Sequence, residues 1–350
     1  MNNENAVKRY HGIDVLKFLC AFLVVCIHAP FPGVAGEYIV ALSRVAVPVF
    51  FMITGFFYKD TADNNKEIKQ IIKLMKLIVF STCLYFLFNI SIGILKYIIE
   101  NDFSLVFDAV KIIDKNTLVN FIVFNDSPVA SHLWYLNAIV YVLICVYFLR
   151  KCNLFKVLYW LTPLLLCADL IFGKYSVVFW GRSFNILYVR NFLCVGIPYF
   201  TIGYIIRNLY EHGVFKKKQF NKRRLLIYLI LCSVMCIMER YILIFFDVNA
   251  TRDHYLFTTL LACALFIWSL SPFEVNNDKF KWISDIGKND SLNIYIFHPI
   301  IIFVMEMISR ILHVGKIYAV FAPVIVFSIA VIVSKLYRYI MRKLKRSDIN

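Results

Sequence analysis

Lys17 and His28 are separated by ten residues of a mostly apolar stretch, and Asp14 precedes Lys17 by three positions. With Ala21 and Val24 between them, the intervals run three, four, three and four, which puts all five residues on one face of a helix. The step from Lys17 to His28 covers about 16 Å along a helix axis. The two side chains cannot touch, but they can mark the ends of one track. A neutral imidazole can serve as general base or, less readily, as a transient acyl carrier, and an ammonium can hold an anionic group. The structural alternative has equal weight on spacing alone: Asp14 caps the helix, Lys17 snorkels to headgroups and His28 sits at the interface.

Other ionisable residues lie within apolar segments, where they are costly and usually face a bundle interior or a wet cavity. Arg44 opens the segment Arg-Val-Ala-Val-Pro-Val-Phe-Phe-Met-Ile-Thr-Gly-Phe-Phe, and Asp169, Arg190, Glu239, Arg240, Glu306 and Arg310 follow later. Glu306 and Arg310 are four apart, so a structural ion pair is their default. Taken with His28 and Arg44, the set suggests a polar vestibule. His132 stands in His-Leu-Trp-Tyr-Leu and His298 in Ile-Tyr-Ile-Phe-His-Pro. Either histidine by itself is more often a hydrogen-bonded packing residue. Zinc-type His spacing, a Gly-x-Ser-x-Gly elbow and a phosphate-binding Gly loop are all missing.

The elements that must carry these residues are membrane helices. Of 350 residues, 61% are hydrophobic and 17% charged, far from the balance of a soluble domain. The apolar residues fall in runs near 13–27, 40–57, 71–94, 133–149, 154–172, 193–206, 225–246, 255–270, 291–312 and 317–340, close to the length that crosses a ~30 Å hydrocarbon layer. The expected fold is an all-α transmembrane bundle of about ten spans. The net charge of +16 could point to nucleic acid, but its placement does not. With connections sorted to alternate sides, more than two thirds of the 38 Lys and Arg share the side of the N-terminus, the strongest block being Lys216, Lys217, Lys218, Lys222, Arg223 and Arg224. That pattern predicts an even number of spans with both termini cytoplasmic and excludes a nucleic-acid partner. The ten cysteines sit in or at the ends of spans without a CxxC pair, as small apolar residues and not as metal ligands. Lys8 and Arg9 imitate a signal peptide, yet Asp14 and Lys17 interrupt the apolar stretch, so a retained helix is expected. In the longest connection, about 96–131, Leu105, Val106, Ala109, Val110 and Ile113 line one helical face, predicting an outer amphipathic helix, a possible lid.

Taken in order, these segments resemble the acyltransferase-3 family of bacterial membrane acyltransferases. Gly12-Ile13-Asp14-Val15-Leu16-Lys17 followed by Val24-Val25-Cys26-Ile27-His28 carries the family's spacing of a basic residue, ten residues and a histidine. Many members have Arg first; Lys17 keeps the charge and loses the planar fork. Residues 44–57, 132–136, 190–203 and 291–299 are further family-like segments. The resemblance implies one membrane domain over 1–346 with a short tail at 347–350, working in the bacterial cytoplasmic membrane. It lacks the esterase-like domain of some longer relatives, so it works alone or with separate envelope-biosynthesis proteins. The implied reaction moves an acyl group, usually acetyl, from cytoplasmic acyl-CoA to a hydroxyl of an envelope polysaccharide or lipid-linked precursor. Lys17, with Asp14, would serve the acyl-CoA, His28 and Arg44 the chemistry, and Arg190, Glu239, His132 and His298 the acceptor. Related membrane domains are also linked to transport of a small amino acid such as serine. No metal is implied.

Overall fold

A computed structural model of the chain describes residues 9–100, 114–216, 221–250, 254–271 and 278–347. Among them the regular elements are all helical. A hydrocarbon layer offers the backbone no water, and a helix satisfies its own donors and acceptors within one segment. In chain order the α-helices are α1 (His11–His28), α2 (Gly33–Ser43), α3 (Ala46–Asp63), α4 (Glu67–Glu100), α5 (Lys115–Phe124), α6 (Trp134–Lys151) and α7 (Val157–Asp169). There follow α8 (Ser176–Trp180), α9 (Ile197–Glu211), α10 (Lys222–Phe245), α11 (Leu256–Ser269), α12 (Asp278–Asn289), α13 (Ser291–Ile311) and α14 (Gly315–Ser347). Single π turns at Leu170–Lys174 and Phe192–Gly196 follow α7 and lead into α9.

Among the described residues, nine helical segments are long and apolar enough to cross a membrane, α2 and α3 counting together as Gly33–Asp63. The chain is a multi-pass membrane protein. The eighth expected span, 255–270, is the 14-residue α11, about 21 Å long at 1.5 Å per residue and short of the ~30 Å layer. The second expected span differs more. It starts at Gly33 and is broken at Arg44 and Val45, between α2 and α3. Pro48 explains the break: it lacks an N–H and its ring crowds the carbonyl four residues back, which belongs to Arg44. Of the expected outer amphipathic helix, Leu105, Val106, Ala109, Val110 and Ile113 lie outside the described residues. Beyond them α5 begins at Lys115 and is capped by Asp114, whose carboxylate accepts the Thr117 N–H at 2.7 Å. The helix α12 had not been expected; it is too short and too charged to stand out among the spans.

The chain forms two compact units, one of Met1–Phe50, Gly213–Met238 and Phe257–Asn350, the other of Phe51–His212 and Glu239–Leu256. In the first, α1 packs on α2, α12, α13 and α14. Val25, Ile294, Val326 and Ala330 are fully buried there, and Phe18 and Phe22 meet Phe327 edge-on, each at 5.2 Å. In the second unit, α3 and α9 touch backbone to backbone. A Cβ added at Gly55 would lie 1.9 Å from the Phe200 carbonyl oxygen, and one at Gly203 would lie 2.0 Å from that of Met52. Small residues are what allow membrane helices so close an approach. The ends of those helices are held by charge: Arg207 donates to Asp60 at 2.7 and 3.0 Å, and Glu67, buried, accepts from Tyr58 at 2.5 Å and from Arg150.

Gly55→Val or Gly203→Val is expected to cost at least 1–3 kcal/mol through overpacking. Detergent-solubilised protein should then show a lowered melting temperature or no monodisperse peak. Gly315→Ala, where a Cβ meets nothing within 4 Å, should leave both measurements unchanged.

Candidate functional site

Asp14, Lys17, His28, Arg44 and His298 belong to the first unit. The intended face of α1 is present: Asp14, Ala21 and Val24 are buried along it, Lys17 is half-buried and His28 is exposed at the last helical residue. Asp14 does not cap the helix. Tyr10 occupies that position, and Asp14, only 5% exposed, instead accepts from Lys17 Nζ at 3.2 Å and Arg9 Nε at 3.0 Å. Arg9 donates onward to Ser284 Oγ at 2.9 Å and to Asp285 at 2.7 Å, both on α12. A buried carboxylate shared by two cations holds Lys17 in one place, and α12, absent from the sequence-based picture, holds the other end of the network. The hydrogen bond and charge of Arg9 keep the Asp285 carboxyl below its ordinary range.

At the opposite end of α1, the His28 and His298 rings are 5.0 Å apart between centroids. Nothing in the spacing of two residues 270 positions apart announces that encounter. Arg44 stands at the break between α2 and α3, and α2 packs on α1. The proline that interrupts the helix thus places a guanidinium at an irregular point of the backbone. Among the described residues no ion pair joins Glu306 to Arg310, contrary to the default expected of an i, i+4 pair.

Arg190, Glu239 and His132 belong to the second unit. The guanidinium of Arg190 lies over the Trp134 ring at 5.6 Å, and the His132 ring meets Tyr85 edge-on at 4.8 Å. Two asparagines build this corner. Asn125, fully buried and at φ +53°, donates to the Trp134 carbonyl and accepts the Phe192 N–H; Asn191 accepts the N–H groups of Leu193 and Cys194, capping the turn that enters α9. Asp126 is beside them, its carboxyl pushed up by burial against the opposing pull of the Arg190 charge. Glu239 is buried and accepts from Tyr175 Oη and the Leu256 N–H, both at 2.7 Å. Sequence reasoning passed over its neighbour, His254, whose Nδ1 is 2.9 Å from Asp169 with both residues buried. A lone histidine beyond a span has no periodicity to reveal it. The vestibule expected of the outer charges therefore resolves, in this unit, into carboxylates with specific partners. Another polar feature of the same unit is a cavity of about 350 Å³ lined by Lys59, Arg150, Lys156, Phe155, Tyr159 and Tyr204, among others. No group of three or more His, Cys, Asp and Glu able to hold a metal exists among the described residues.

Residues 10–337 match the model of the acyltransferase-3 family, described as an acyltransferase domain. Two amino-acid racemases of Enterococcus faecalis are similar to the chain. One is 25% identical over 88% of this chain and 43% of its own length, the other 28% identical over 65% and 31%. The chain thus spans less than half the length of these curated relatives. No solved structure matches.

Asp285→Asn should lower the melting temperature slightly at neutral pH. Because the folded-state pKa of Asp285 is depressed, its contribution is present above the ordinary carboxylate value of about 3.9 and is lost as pH falls through the depressed value. Melting curves of the variant and the parent protein should therefore converge in acid.

Proposed function

The chain belongs to the acyltransferase-3 family, and from that premise we propose that it is a membrane O-acyltransferase. The donor would be cytoplasmic acyl-CoA, most simply acetyl-CoA, and the acceptor a hydroxyl of an envelope polysaccharide or its lipid-linked precursor. The site of action would be the bacterial cytoplasmic membrane, with both termini on the cytoplasmic side. The observation that supports this reading best is α1 itself, which carries an anchored ammonium at one end and an exposed imidazole at the other.

In this mechanism Lys17, held by Asp14, binds phosphate oxygens of the donor. His28 takes the proton of the acceptor hydroxyl as its oxygen forms a bond to the thioester carbonyl carbon. Arg44 donates to the oxyanion that develops there. As the carbon–sulfur bond breaks, the departing thiolate receives the proton from His28, which returns neutral. The carbonyl-rich end of α1, where His28 lies, favours the passing positive charge. Within the second unit itself, Arg190 over Trp134, with His132 and Glu239, offers polar and aromatic groups of the kind that hold a sugar.

A second reading is transport of a small amino acid such as serine. Support for it comes from the two relatives named amino-acid racemase, since each has more than half its length outside the part shared with this chain. A membrane segment that delivers an amino acid to an enzyme segment would account for that division.

Reconstituted protein supplied with labelled acetyl-CoA and envelope glycan should transfer label. His28→Ala should slow transfer about 10²-fold or more. Lys17→Ala should raise KM for the donor with a smaller effect on kcat. Folded His28→Ala protein with full transfer would remove the histidine from the mechanism. Uptake of labelled serine into proteoliposomes without any acyl transfer would favour the second reading. Mass spectrometry of glycans from wild-type and deletion strains should show the loss of an acetyl-sized mass.

A further inference from the structure

His298 sits in α13 directly before Pro299. Proline has no N–H, so the carbonyl four positions earlier, that of Tyr295, loses its helical donor. Inside a membrane such a carbonyl must be satisfied by another group. His298 supplies it: Nδ1 is 2.9 Å from the Tyr295 oxygen, with the Ile294 oxygen at 3.2 Å. A carbonyl only accepts, so Nδ1 carries the proton and the lone pair of the neutral ring is on Nε2. The tautomer is thus dictated by the His-Pro dipeptide. The ring is 0% exposed, whereas its neighbour His28, 5.0 Å away between centroids and inclined by 48°, is exposed at the end of α1. At that separation one nitrogen of each ring can come within hydrogen-bond reach.

We propose that His298 is a positioning residue for His28, its Nε2 accepting the His28 ring N–H when substrate is bound. This inference rests on acyl transfer with His28 as base. A buried acceptor of fixed tautomer turns the other His28 nitrogen, with its lone pair, toward the acceptor hydroxyl. The hydroxyl proton passes to that outward nitrogen and then to the departing thiolate. His298 neither gains nor loses a proton and stabilises the imidazolium between those two steps. A carboxylate commonly plays this part for a catalytic histidine; here a second imidazole does so without adding a charge to the membrane interior. A fully enclosed ring is suited to acting through His28 in this way rather than on a bulky glycan.

The test is a double-mutant cycle on reconstituted protein with acetyl-CoA and glycan. His298→Phe keeps a ring of similar shape and removes both nitrogens. His298→Asn keeps a donor for the Tyr295 carbonyl and serves where the Phe variant does not fold. Either variant should lower kcat about 10²-fold with KM for the donor changed less than about twofold. His28→Ala combined with either should be no slower than His28→Ala alone, because residues acting as a unit are not additive. A merely structural role would instead multiply the two losses. Unchanged kcat in the His298 variants, or multiplicative losses, would overturn the inference while leaving His28 as base. Full activity of His28→Ala would overturn the base assignment itself, a separate result.

Discussion

A backbone carbonyl without a donor costs several kcal/mol in a hydrocarbon layer, and prolines within membrane spans create such carbonyls. Two of them shape the first unit. At Pro48 the helix gives way: the chain breaks at Arg44, and a guanidinium is left where regular backbone ends. At Pro299 the helix continues, because His298 supplies the donor that proline lacks. One rule of accounting therefore yields both an irregular point bearing a cation and an imidazole of fixed tautomer. Both outcomes are structural, and each leaves a polar side chain where the proposed chemistry would use one.

The buried carboxylates follow the same rule. Asp14, Glu67, Asp169 and Glu239 are all buried, and each has a named donor: Arg9 and Lys17, Tyr58 and Arg150, His254, Tyr175 and a backbone N–H. Asp290, also fully buried, accepts from Ser334 Oγ at 2.7 Å and has Arg338 at 3.3 Å. Removing one partner from such a pair typically costs more than the pair contributes, since the other charge is left buried and alone. These networks therefore hold the helices in register more than they add stability, and they leave His28 among the exposed polar groups of the first unit.

Hydrophobic run length and composition by themselves determined that this chain is a membrane protein built of helices, and the interval between Lys17 and His28 determined that both lie on one face of the first. Those are local properties: a helix has a known rise and period, so its length and faces can be read from order alone. Only tertiary structure decided that α12 closes on Asp14 through Arg9, that His298 lies beside His28, and that His254 pairs with Asp169. In each case the partners lie on separate helices or on the segments that join them. Their meeting depends on how those helices pack, and no periodicity within either segment records the neighbour it will have.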